Sequence, residues 1–285
     1  VKDILQQADE IPVTLLVALA YITMAFLTNP VSPTAEQMHQ HGWLMATLVS
    51  DGEPWRLFSS AFLHMNWLHL LFNTYALLAF GPGLERSLGS VRLAALYLIS
   101  ALGGSLAVCI YNSPFQPVLG GSGALFGMWG AVLALQMRQT RTALGFLDHD
   151  GPRRTLRMIM IYLVVGAFVP FISNTGHVGG AISGFAFAFL FLTDKKKTDT
   201  WLLRWRIVFV ALMTTFTLHT LHPSTRYDWL WRQARATEDR VTREQLQLAA
   251  ARAFRGTNEI SAYDVQHCGS QMDSYDREIK QLNER

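Results

Sequence analysis

Acidic side chains all but vanish from the middle of this chain: between Pro54 and Thr193 only Glu85, Asp148 and Asp150 occur. Charged residues make up 16% of the 285 residues and apolar ones 50%. A soluble globular domain carries about a quarter charged residues, so an ordinary soluble body is excluded. Charge returns at normal density only beyond about Pro223. The chain therefore divides into an apolar body and a polar tail.

Cysteine is scarce too. Cys109 lies in the body and Cys268 in the tail, which excludes a framework of clustered disulfides and leaves two unbridged thiols. The sequence does not open with a basic stretch, a short apolar run and a small-residue cleavage site, so no signal peptide is expected. A net charge of +3 is not read as a nucleic-acid footprint. In an apolar chain, basic residues report which loops stay in the cytoplasm.

What the chain does have is a series of apolar runs. A bilayer core about 30 Å thick needs roughly 20 apolar residues per helix. Seven runs approach that length: 11–29, 61–81, 91–111, 122–137, 157–173, 177–193 and 205–222. The seventh is the weakest, with Arg204 and Arg206 at one end and His219 and His222 at the other. No internal repeat is evident. The expected class is an all-α polytopic membrane protein in a lipid bilayer. It would have a short N-terminus (1–10), a six-helix body (11–193), a basic loop with a seventh transmembrane helix (194–222) and a polar tail (223–285).

Loop charges set the orientation. Arg86 and Arg92 follow the second span. Arg138, Arg141, Arg153, Arg154 and Arg157 follow the fourth. Lys195, Lys196, Lys197, Arg204 and Arg206 follow the sixth, and the alternate loops hold only Arg56. The N-terminus is therefore expected in the cytoplasm, and the loops 30–60, 112–121 and 174–176 outside. With seven spans the tail also lies outside. The fourth span is short: Ser122 to Arg138 rises only about 24 Å. With Arg138 at the cytoplasmic surface, Ser122 lies below the outer surface, and irregular backbone must dip inward before it.

Gly120-Gly121-Ser122-Gly123 opens that span. The glycines allow a sharp turn and close approach of a substrate, and a helix N-terminus offers N–H groups and a positive dipole end to an oxyanion. The tetrapeptide alone reads more readily as a packing device, the usual role of small residues in membrane helices. His177 begins the sixth span, which runs in the same direction as the fourth, so the two helix starts share a depth. Gly123 and Gly127 form one small-residue stripe, and Gly180, Gly184 and Ala188 another. If the stripes meet, Ser122 meets His177, a nucleophile and a base. With no acidic residue in the outer half of any span, a dyad is expected rather than a triad. His69 and Asn73, an i, i+4 pair on the second span, project from one face. They are either oxyanion donors or an interhelical clamp. His64, His69 and His177 do not form a metal motif, because His64 and His69 are off one face and no carboxylate or cysteine joins them.

Together these residues resemble the rhomboid intramembrane serine proteases, over about Pro54 to Leu192. Trp55-Arg56, His64, His69 with Asn73, Glu85-Arg86, Leu88-Gly89, the Gly120 to Gly123 motif, Phe126, and His177 with Gly180 resemble that family's elements in order and spacing. Gly176 departs from the alanine common before the histidine, and the segment preceding it is short. The resemblance implies a six-helix core with a seventh helix in a 6+1 arrangement, and a water-filled cavity open to the non-cytoplasmic side. It further implies Ser122 as nucleophile, His177 as general base, and His69, Asn73 and the Ser122 amide as oxyanion hole. Gly120, Gly123, Phe126 and Gly180 would support them. The implied substrates are transmembrane segments of other membrane proteins, cut near their outer ends, with no metal or organic cofactor.

Two rivals remain. A rhomboid-like pseudoprotease would bind clients without cutting them, and typically lacks the serine or the histidine. A transporter predicts charged residues inside the spans, where only histidine and asparagine are found. In the tail, Ala234 to Arg255 reads as a solvated helix, and Trp229 and Trp231 as interfacial anchors.

Overall fold

The computed structural model describes residues 9–50, 52–112, 116–138, 145–169, 172–192 and 200–221, with short pieces between 243 and 277. The loop lysines Lys195 to Lys197, Trp229 and Trp231, and most of the Ala234 to Arg255 segment lie outside the described residues. Among the described residues there are seven long helices: α1 (Pro12–Leu27), α2 (Trp67–Leu88), α3 (Ser90–Tyr111), α4 (Ser122–Arg138), α5 (Asp150–Phe168), α6 (Asn174–Phe191) and α7 (Thr200–Leu221). The one β feature among them is an isolated antiparallel bridge between Leu44 and Val118. It ties the loop after α1 to the segment entering α4.

Helix ends differ from the apolar runs where a cap, a separate turn or a following proline sets them. The second helix starts at Trp67 rather than 61, since the Asn66 side chain accepts from His69 N–H at 2.9 Å and Ser60–Phe62 form a separate 3-10 turn. It continues through Pro82 to Leu88 and stops at Gly89, where φ is +84°. The fifth begins at Asp150 rather than 157, so Arg153, Arg154 and Arg157 sit on its first turns. It ends at Phe168 because Val169 precedes a proline and takes an extended conformation. Ser173 caps the sixth three residues earlier than expected, accepting from Gly176 N–H at 3.2 Å.

By length and mean hydropathy alone, one described helix, α3, with a mean hydropathy of 2.1, is long and apolar enough to cross a membrane. The other expected spans miss that test for identifiable reasons, α2 because it carries His69, Asn73 and Pro82. α1 and α4 have 16 and 17 residues. α6 carries Asn174, Thr175, His177 and Ser183, and α5 and α7 carry arginines.

Two devices hold the fold. Glu85, 1% exposed, reaches from α2 to the start of α1. It accepts from Val13 N–H (2.8 Å), Thr14 N–H (2.8 Å) and the Thr14 hydroxyl (2.7 Å). A carboxylate there satisfies orphan donors and complements the helix dipole. The second device is glycine. A Cβ on Gly180 would collide with the Gly123 carbonyl, and one on Gly184 with the Gly127 carbonyl. The two stripes thus face each other, and α4 and α6 touch backbone to backbone. α3 joins them, with Gly103 against Ser183, and Gly104 against the Gly176 carbonyl. Both cysteines are buried.

Candidate active site

Ser122 is the first residue of α4. The turn into it is made by Gly120, whose φ of +124° lies where side chains are rarely tolerated, and whose N–H donates to the Ser60 carbonyl at 2.8 Å. His177 sits in the first turn of α6. Its Nε2 lies 2.8 Å from Ser122 Oγ. The Gly123–Gly180 and Gly127–Gly184 contacts bring these two helix starts together. Phe126, one turn after the serine, stacks parallel to the imidazole, with centroids 4.1 Å apart and 6° between planes. Trp129 and Tyr162 pack on Phe126 in turn. Nδ1 of His177 is buried and has no hydrogen-bond partner among the described residues.

His69 and Asn73 lie across from the pair on α2. Asn73 Nδ2 donates to the His69 carbonyl at 3.0 Å, which fixes its amide on the helix and leaves one N–H available. Met65 N–H approaches His69 Nδ1 at 3.4 Å. An Nδ1 that accepts there leaves the proton on Nε2, the tautomer that can donate to an oxyanion. The His69 ring lies over Gly120: a Cβ on that glycine would come within 2.7 Å of Cε1 and 2.8 Å of Nε2.

All four side chains line one cavity of about 510 Å³, with Gly120, Gly123 and Phe126. Its walls are mainly apolar, from Leu68, Phe72 and Ala76 on α2 to Val165 on α5. Among the described residues that line it there is no Asp or Glu. Gly180 works one layer back, through its contact with Gly123. His64 stands beside the site, edge-on to His69 at 5.1 Å. Among the described residues no three His, Cys, Asp or Glu side chains are placed to share a metal ion. The arrangement puts a hydrogen-bonded serine–histidine pair and the side chains of His69 and Asn73 on one mainly apolar cavity.

Three contributors were not visible in sequence: Trp129 and Tyr162 behind Phe126, and Tyr21 beneath Gly121. The only available signal for the last was a tyrosine within an apolar run, next to a motif with glycine at its variable position.

Residues 51–194, about half of the chain, match the Rhomboid domain. The chain belongs to the rhomboid family. It is 37% identical over 167 residues to RHOMBOID-like protein 5 of Arabidopsis thaliana, covering 58% of this chain and 52% of that one. To the rhomboid protease GluP of Bacillus subtilis (strain 168) it is 35% identical over 216 residues, covering 75% of this chain and 41% of the relative. RHOMBOID-like protein 1 of Arabidopsis thaliana is 39% identical over 167 residues, covering 58% of this chain and 41% of the relative. The chain spans about half the length of these relatives. The rhomboid domain takes in α2 to α6 and every residue of the site described above except Tyr21. α1 and α7 flank it.

Proposed function

We propose that this rhomboid protein is an intramembrane serine endopeptidase working by a Ser122–His177 dyad. The observation that carries the reading is the 2.8 Å contact between His177 Nε2 and Ser122 Oγ, within a cavity that also holds His69 and Asn73. The relative named as a rhomboid protease, GluP, supports it.

In the proposed reaction Ser122 Oγ attacks the scissile carbonyl carbon while His177 Nε2 takes the hydroxyl proton. The carbonyl oxygen becomes an oxyanion, held by His69 Nε2–H, the available N–H of Asn73 and the Ser122 amide at the start of α4. His177 then gives the proton to the leaving amine, the C–N bond breaks, and an acyl-enzyme forms. Water deprotonated by His177 hydrolyses the ester and restores the serine. Phe126 sets the imidazole plane in place of a carboxylate. Gly120, Gly123 and Gly180 keep the two helix starts close enough for the transfer. No metal or organic cofactor enters these steps.

α1 to α6 form the membrane core in this proposal, with α7 as a seventh span in a 6+1 arrangement and 223–285 as a polar tail. The basic loops place the N-terminus in the cytoplasm and open the site to the other side. α4, about 25 Å long, then holds Ser122 below the outer surface. The substrates are transmembrane segments of other proteins, cut near their outer ends, where small or helix-breaking residues let a strand unwind into the cavity. In a cysteine-replaced variant, an impermeant thiol reagent on intact cells should label a cysteine at position 35 and not one at 145. The reverse pattern overturns the orientation.

The test of function is cleavage of a helical transmembrane reporter by purified protein. Ser122→Ala and His177→Ala should each abolish it, the double variant should be no worse, and chelators should have no effect. Cleavage surviving in Ser122→Ala contradicts the dyad. A wild type that binds the reporter without cutting favours the pseudoprotease.

A further inference from the structure

Tyr21 is fully buried, at 0% exposure, although it belongs to a helix whose neighbours Leu16, Leu19 and Phe26 are open. Two separate contacts lead from it toward the site. Its hydroxyl lies 2.7 Å from the Tyr97 hydroxyl, and Tyr97 in turn donates to the Ala61 carbonyl at 3.4 Å. The tip of Tyr21 fills the space that a side chain on residue 121 would need: a Cβ on Gly121 would collide with the hydroxyl and Cζ. Gly121 is not among the glycines with positive φ. Its backbone does not demand glycine, and the tyrosine does. The second contact runs through the ring. Tyr21 meets His64 edge-on at 4.7 Å and 66°, and His64 meets His69 edge-on at 5.1 Å and 69°.

We infer that Tyr21 is a positioning residue for both oxyanion donors, the Ser122 amide and His69. The inference rests on the function proposed above, in which those groups hold the developing charge. The peptide that carries the Ser122 N–H is held from the helix side, where its Gly121 carbonyl accepts from Leu125 N–H at 3.1 Å; the two glycines before it bring no side chain to hold its other side, and a donor that wanders stabilises an oxyanion poorly. The Tyr21 hydroxyl, pinned by Tyr97, closes the space into which Gly121 would move. The His69 ring is held between Gly120 on one side and the edge-on rings of His64 and Tyr21 on the other, which limits its swing away from the cavity. One side chain from outside the matched domain thereby braces both halves of the oxyanion site.

The test measures kcat and KM on the transmembrane reporter, with the thermal midpoint, for Tyr21→Phe, Tyr21→Leu, Gly121→Ala and the Tyr21→Leu/Gly121→Ala double variant. A misplacement of about 1 Å costs up to about a hundredfold in rate. Tyr21→Phe keeps the ring and loses the hydroxyl, so kcat should fall on the order of tenfold with KM unchanged. Gly121→Ala drives a Cβ into the tyrosine and should cost about a hundredfold. Tyr21→Leu should lose a similar amount, and adding Gly121→Ala to it should cost little more, because the collision partner is gone. If Tyr21→Leu does not fold, Tyr21→Phe decides. A Tyr21→Phe protein with full kcat, whatever its midpoint, overturns the inference, as do fully additive losses in the double variant. Wild-type cleavage abolished by Ser122→Ala keeps the function standing in that case. Cleavage that is absent, or independent of Ser122, removes the function and this inference with it.

Discussion

α4 and α5 both wall the cavity, and they are held in opposite ways. α4 is locked against α6 through backbone: a Cβ on Gly130 would run into the Ala181 carbonyl, one on Gly180 into the Gly123 carbonyl and one on Gly184 into the Gly127 carbonyl, while Gly127 also leaves no room for a Cβ beside Ser100 of α3. α5 buries only Pro152, Ile159 and Gly166 along its length, leaves Ile161, Val164 and Phe168 exposed, and meets α4 through the side chains of Phe126, Trp129 and Tyr162. Backbone contact tolerates almost no displacement, since packed interiors are dense and respond to single methylenes. Side-chain contact on one face can loosen and reform. Ser122 and His177 thus belong to the helices held by backbone contact, and Val165 on the cavity wall belongs to one held by side chains alone.

The largest effect expected from breaking this comparison comes at the locked seam. Gly180→Val places a branched side chain against the Gly123 backbone. Overpacking typically costs about 1–3 kcal/mol, and backbone has no rotamer with which to yield, so the thermal midpoint should drop and cleavage disappear. Ile161→Ala, on the exposed face of α5, should leave the midpoint almost unchanged. Equal midpoints in a melting experiment would erase the distinction.

Next in size is Asn73→Ala. Loss of one oxyanion donor costs about a hundredfold or more in turnover, so kcat should fall by that order with KM little altered. Normal turnover with a lowered midpoint would make Asn73 an interhelical clamp instead. Phe126→Leu should do less. A stacked ring pair is worth about 0.5–1.5 kcal/mol, which corresponds to roughly twofold to tenfold in kcat, and steady-state kinetics can resolve it. The smallest effect belongs to α5. Val165 lines the cavity but is 49% exposed. Val165→Ala should shift KM by a few-fold at most, below the tenfold or more of a methylene in an enclosed pocket, with kcat and midpoint intact. A collapse of kcat there would mean that α5 is as locked as α4.

Part of this arrangement was legible in the sequence because it depends on depth and small residues. Two parallel spans with glycine stripes bring their first residues together, so Ser122 and His177 could be paired without coordinates. Phe126 followed from helical spacing and family resemblance. Helix starts were misjudged where a polar cap sets the first turn, Asn66 within the second apolar run and Ser173 ahead of the sixth. Glu85 was noted in sequence only as part of the family's cytoplasmic turn. Its partners on α1 lie more than 70 positions away, and no local pattern announces them. Tyr21 was hidden for the same reason: its partners, Tyr97 on α3 and Gly121 in the turn before α4, are distant in sequence, and only packing shows that the missing side chain of one is the space of the other.

The central claim is that Ser122, activated by His177, is the nucleophile. The most direct measurement is intact mass after treating the purified protein with a fluorophosphonate, followed by peptide mapping. One adduct is expected, on Ser122, absent from Ser122→Ala and strongly reduced in His177→Ala. An adduct on another residue, or equal labelling of His177→Ala and wild type, would contradict the claim.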